Sequence, residues 1–302
     1  MDSQLVRKVT SALSKMQYSF SNHTRITQLK GGITNKIYLM EFPNKKFIIR
    51  ECGNNTEKFI DRELEYKIIK GLNPFNITRK LLQKFEKGSI ESFLEGRSLT
   101  IENFKDPYIL SILGRKFADL HSINILEYHE RQPMLWNKIN TWYNQCIELY
   151  KNDSEIFPII ETIGQNISNK KMIEVESPIV LCHNDLTPAN IIYHNDDIKF
   201  IDFEYSAYNY RGFDIGNLFC EYAGYHGDWT LLPKKEERIL FYKFYLKTNN
   251  ENLLQKMDEE VLFYMPLSHQ FWSLWGFIQH KYSEIDYDYL SFAKKRYEGS
   301  KL

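Results

Sequence analysis

The sequence predicts an α+β chain of two lobes, a small N-terminal lobe built on an antiparallel sheet and a large helical C-terminal lobe. Three observations carry this. Short strand-like runs crowd residues 25–94, helical spacing dominates afterwards, and the texture changes at a single crossing near residues 91–97. The expected division is 1–95 and 96–302. In chain order, Leu5, Val9, Leu13 and Met16 give residues 3–18 a loose helical face. Strands are expected at 25–29, 36–42 and 46–51, the last running apolar as Phe47, Ile48 and Ile49 before Arg50. Residues 61–72 return to helical spacing through Leu64, Ile68 and Leu72. Lys87-Gly88 splits two further strands, 80–85 and 89–94. Helices are expected over 107–122, 137–150, 155–168, 214–222, 234–248, 258–282 and 286–297. Short strands at 179–182, 191–194 and 198–201 interrupt them. Such a layout would leave a cleft between its lobes, where ligand pockets tend to form.

Composition narrows the function classes. Lys plus Arg and Asp plus Glu both total 39, so the net charge is zero. A neutral chain lacks the basic surface that nucleic-acid binding rests on. No run approaches the roughly 20 apolar residues of a membrane span, so stable membrane insertion is not expected. Cys52, Cys146, Cys182 and Cys220 are far apart, with no C-x-x-C pair, which points to the cytoplasm. A homodimer is an assembly open to the chain.

Residues 181–202 carry the chemistry. They contain His183-x-Asp185, then Asn190, and after a short hairpin Asp202-Phe203-Glu204. Phosphoryl transfer from ATP needs one carboxylate on the acceptor hydroxyl, and an amide and a second carboxylate on Mg²⁺. A surface hairpin rich in Asn and Asp would not explain the ordered spacing. A metal hydrolase using His183, Asp185, His194 and Asp202 would need both histidines in the site, yet His194 opens a polar turn. Between the first two strands lie Gly31, Gly32, Ile33, Thr34 and Asn35. Gly32 lets backbone approach phosphate oxygens, and Thr34 and Asn35 add donors. Arg50 ends the third strand, where a phosphate-binding cation is expected, and Glu63 on the next helix is its candidate ion-pair partner. Trp272 and Trp275 share a helix face, and Tyr289 and Phe292 repeat the spacing. Such rings could be core, or could enclose a cationic amine.

The string His183-Asn184-Asp185, the run from Asp202 to Asn217, the glycine pair and the two tryptophans resemble the choline/ethanolamine kinase family over residues 25–297. The resemblance implies a protein-kinase-like fold, with ATP and Mg²⁺ as cofactors and a small amino alcohol as acceptor. It implies that Asp185 is the base and that Asn190 and Asp202 hold the metal. Glu204, Tyr205, Trp272, Trp275, Tyr289 and Phe292, with Asp185, would line the acceptor site. Arg211 and Asp214 would pair with each other to brace their loop. Thr187-Pro188-Ala189 departs from the Gln and Glu the family often carries there. The expected product is phosphoethanolamine or phosphocholine, with ethanolamine favoured slightly, at the entry to phospholipid synthesis. Rival readings are a kinase for another small amine, such as an aminoglycoside, and a kinase-like binding protein without activity.

Overall fold

The computed structural model describes residues 3–29, 35–53, 56, 59–125, 131–173, 175–224 and 227–302. Gly32 and Thr34 lie outside the described residues. The chain divides into two compact units, Met1–Arg97 with Ile192–Tyr205, and Ser98–Ile191 with Ser206–Leu302.

The first unit is a five-stranded antiparallel sheet with two helices. Its elements are α1 (Ser3–Lys15), β1 (Arg25–Leu29), β2 (Asn35–Phe42), β3 (Lys45–Cys52), α2 (Arg62–Leu72), β4 (Leu81–Phe85) and β5 (Gly88–Ser92). The strand order is β1-β2-β3-β5-β4. Central β3 buries Phe47, Ile48 and Ile49 in succession. A strand buried on both faces reads as a continuous apolar run, which is why its sequence does not alternate. Leu5, Val9 and Leu13 of α1 pack on Tyr38, Met40, Phe47, Ile49 and Ile90. Asp61 starts α2 by accepting the Leu64 N–H. The chain passes between units through β6 (Arg97–Ser98), first strand of a small sheet completed by β8 (Ile191–His194) and β9 (Asp197–Phe200). Asn195 and Asp196 turn the β8–β9 hairpin with φ of 48° and 59°, a left-handed pair that suits these residue types.

The second unit is helical around a two-stranded ribbon, β7 (Ile179–Cys182) antiparallel to β10 (Ala207–Tyr210). Its helices are α3 (Pro107–His121), α4 (Leu135–Tyr150), α5 (Phe157–Lys171), α6 (Arg211–Cys220), α7 (Lys235–Leu246), α8 (Glu251–Tyr282) and α9 (Tyr289–Gly299). Helix α8 is buried at every position from Leu267 to Gln279. A helix buried all round is the centre of its unit, and α4, α6 and α9 pack against it. Pro107 occupies the first turn of α3, where its missing N–H costs nothing. Among the described residues, no helix is long and apolar enough to cross a membrane.

Candidate active site

In the first unit the end of β3, the start of α2 and the segment after β9 bring charged groups together. Arg50 pairs with Glu65, and its Nη2 lies 3.2 Å from Glu204 Oε2 and 3.4 Å from Asp202 Oδ1. Arg62 Nη1 donates to Glu65 at 2.8 Å and to Glu204 at 3.1 Å. Its Nη2 donates to Asn35 Oδ1 at 3.1 Å and Thr56 Oγ1 at 2.8 Å. Asn35 Nδ2 in turn donates to Glu204 Oε2 at 3.0 Å. Two guanidiniums therefore face three carboxylates in a buried cluster. Burial works against the Arg50 charge, but Glu65, Asp202, Glu204 and Glu91 outweigh it and hold the guanidinium well above its ordinary range. Burial, reinforced by the neighbouring Asp202, pushes the Glu204 carboxyl up to about 7. Burial likewise raises Asp202, against the pull of Arg50.

Glu63 is not the partner of Arg50. Its exposed carboxylate meets Lys84 Nζ at 2.5 Å, while Glu65 is 1% exposed and takes the guanidinium. Two residues along a helix turn a side chain through roughly 200°, so one face cannot hold both. The buried face of α2 is Glu65, Tyr66, Ile68, Ile69 and Leu72. Sequence reasoning also missed Arg62; the position of α2's first turn, with its Asp61 cap, was the available signal.

In the second unit the loop after β7 carries His183, Asn184 and Asp185. Asn184 has φ of 66°, a conformation that Asn tolerates better than most residues. The loop hangs from Asp214 of α6, which is fully buried. Its carboxylate accepts the backbone N–H groups of His183 at 2.8 Å and Asn184 at 2.7 Å. It also meets His121 Nε2 at 3.0 Å, and His121 Nδ1 lies 2.8 Å from the Tyr245 hydroxyl. Asn209 Nδ2 donates to Asn184 Oδ1 at 2.9 Å. Pro188 opens a 3-10 turn, Pro188–Asn190, whose last residue donates from Nδ2 to the Asp185 carbonyl at 3.0 Å. The Thr187-Pro188-Ala189 departure thus builds the turn that joins Asn190 to Asp185.

The expected Arg211–Asp214 pair does not form. Arg211, at the start of α6, turns to Glu260 of α8, with Nη2 to Oε2 at 2.8 Å, whereas Asp214 faces the backbone of the loop after β7. His183 is buried, and His194 is exposed at the polar turn after β8. His121, Cys182 and Asp214 also cluster. Burial and the nearby Asp214 hold the Cys182 thiol well above its ordinary value, and Asp214 already accepts the His183 and Asn184 N–H groups.

The four candidate rings of the acceptor site do meet. Trp272 and Trp275 lie edge-on at 5.5 Å between centroids, Trp275 is 5.7 Å from Tyr289 and 5.8 Å from Phe292. Tyr287, which sequence reasoning missed, joins them at 4.8 Å from Tyr289. It lies in the short link between α8 and α9, where helical spacing gives no signal. Tyr205 is buried at the end of the first unit's return segment.

The family model for choline/ethanolamine kinase matches residues 26–301. The sequence is similar to the probable ethanolamine kinase of Arabidopsis thaliana, 35% identical over 295 residues, covering 91% of this chain and 78% of that one. The structure is similar to that of Plasmodium vivax ethanolamine kinase, with a TM-score of 0.89 and 31% identity over 96% of this chain and 85% of that one. At 19% identity and a TM-score of 0.69, covering 99% of each chain, the complex of LicA with AMP shares the fold.

Proposed function

The chain belongs to the choline/ethanolamine kinase family, and from that premise we propose that it transfers the γ-phosphoryl group of ATP to the hydroxyl of ethanolamine, with choline as a second acceptor. The observation that carries this is the loop from His183 to Asn190, hung by two backbone N–H groups from buried Asp214. It holds Asp185 in a fixed place, as a general base requires. Asp185 takes the acceptor's hydroxyl proton while the hydroxyl oxygen attacks the γ-phosphorus, the bond to the β–γ bridging oxygen breaks and ADP leaves.

Arg50 suits the nucleotide phosphates, because Glu65, itself held by Arg62, fixes its position. Asn35 belongs to the same network. Mg²⁺ fits the donor set. Glu204 is buried and Asp202 beside it is partly exposed; burial first and the Asp202 charge second raise the Glu204 pKa, and a cation would relieve that repulsion. Asp202 and Asn190 offer the oxygen ligands this ion prefers, and when bound it neutralises charge on the phosphates. The rings of Trp272, Trp275, Tyr289 and Phe292 suit a cationic amine. Similarity to proteins named as ethanolamine kinases supports ethanolamine over choline. Free cysteines at Cys52, Cys146, Cys182 and Cys220 suit a reducing, cytoplasmic setting.

The test is ADP release with ethanolamine, choline and an aminoglycoside as acceptors, with and without Mg²⁺. Turnover on an amino alcohol that depends on the metal is expected. Activity confined to the aminoglycoside, or to none of the three, overturns the proposal.

A further inference from the structure

We infer that Asn217 is a positioning residue for the amine acceptor, acting by fixing the indole of Trp272. This rests on the proposed function and lies one layer behind the rings. Asn217 is fully buried on α6. Its Oδ1 accepts two hydrogen bonds, from Trp272 Nε1 at 2.8 Å and from Ser268 Oγ at 2.8 Å. Ser268 Oγ itself accepts from Arg296 Nη2 at 3.2 Å. A guanidinium has no acceptor to offer, so the serine must turn its proton toward Asn217. The amide orientation is thereby settled, since its oxygen has to face both donors.

The other half of the amide is unused. Asn217 Nδ2 is buried and has no hydrogen-bond partner among the described residues. A buried donor left unmade is costly, so this asparagine is explained by what its oxygen holds. Arg296 carries the series further, with Nη1 on Glu221 Oε1 at 2.6 Å. Glu221 lies four residues beyond Asn217, one turn along the same face. Helices α6, α8 and α9 are thus joined through one oxygen to the edge of one ring. Packing alone would pin that ring less well, because its neighbours Phe271 and Trp275 meet it edge-on and the terminal torsion of a tryptophan has broad wells.

Steady-state kinetics on wild type, Asn217→Leu and Asn217→Asp, with near-ultraviolet circular dichroism, test the inference. Asn217→Leu should raise the KM for ethanolamine and choline by about three- to tenfold, the range of one lost hydrogen bond, with the KM for ATP unchanged and an altered tryptophan signal. Asn217→Asp, whose oxygen accepts both bonds, should recover most of that loss. Trp272→Phe keeps a ring and drops the N–H, and should give the same acceptor-selective rise should Asn217→Leu fail to fold. Parallel shifts in both KM values, or Asn217→Asp as impaired as Asn217→Leu, overturn the inference. So does an unchanged acceptor KM in either Asn217→Leu or Trp272→Phe. A wild type active on neither amino alcohol overturns the proposed function and this inference together. An active wild type with a flat Asn217→Leu overturns the inference alone.

Discussion

At the scale of single residues, a catalytic carboxylate differs from a structural one by what its removal leaves intact. Asp185 sits on a loop whose support comes from the backbone of His183 and Asn184. Asp185→Ala should therefore keep the fold and ATP binding while kcat falls by about 10²–10⁴; near-wild-type turnover in a folded variant rules out the base. The two glutamates of α2 give a second comparison. Glu65→Ala strips Arg50 and Arg62 of a shared buried anion, and breaking such a pair costs up to about 3–5 kcal/mol. Its melting temperature should fall and its KM for ATP rise. Glu63→Ala, which removes an exposed contact with Lys84, should match wild type in both. Equal effects from the two would mean that Arg50 does not depend on Glu65. The ordered string of Asp185, Asn190 and Asp202 could be proposed from sequence because phosphoryl transfer would constrain spacing along the chain. Glu65 was not, because a carboxylate on the buried face of a helix makes sense only once its cation, Arg50, is seen there.

Among elements, the loop and the rings depend on helices that were only partly legible. The ribbon strand β10 was missed, since Ala207-Tyr208-Asn209-Tyr210 is short and becomes a strand only by pairing with β7. Helix α8 begins at Glu251, earlier than its apolar spacing suggests, because Asn250 caps it by accepting from Asn252 and Leu253. The placement of Asp214 needed tertiary structure: nothing local says that it turns to the backbone of His183 and Asn184 and leaves Arg211 to Glu260. Asp214→Asn keeps one acceptor but sets an NH₂ group where a second donor now points. It should lower kcat at least about tenfold, with a smaller change in the KM for ATP. A loss confined to the KM for ATP would show that the strut does not serve Asp185. Close packing of α9 on α8 gives a further test. A Cβ on Gly276 would come within 2.9 Å of Ala293 Cβ and 3.0 Å of Phe292 Cδ1. Neither a Cβ nor a packed ring edge yields easily, so Gly276→Ala should destabilise by about 1–3 kcal/mol. It should also raise the acceptor KM through Phe292. Unchanged melting and kinetics would mean that α9 can shift freely.

Across the whole molecule, two buried titrating groups push stability in opposite directions between about pH 7 and 5. The Glu204 carboxyl has a folded pKa raised to about 7. Its stabilisation is therefore fully present below the unfolded carboxylate range and is lost as pH rises through 7. His269 of α8 behaves in the opposite sense. It is 2% exposed, with the Trp229 ring edge-on at 5.0 Å. Burial first and the Arg296 charge second hold it well below the ordinary histidine value. A depressed pKa means stability that is complete above about 6.5 and lost as pH falls from there, because the unfolded chain takes up the proton first. The loss from one such group approaches about 1.4 kcal/mol per pH unit. His269→Gln removes the titration and leaves that of Glu204. Urea denaturation of both proteins from pH 8 to 5 should give curves that run parallel above 6.5 and diverge below it. The variant should gain on wild type at each step toward pH 5. Parallel curves over the whole range would show that His269 is protonated equally in the folded and unfolded chain, and that its buried position does not bear on acid stability.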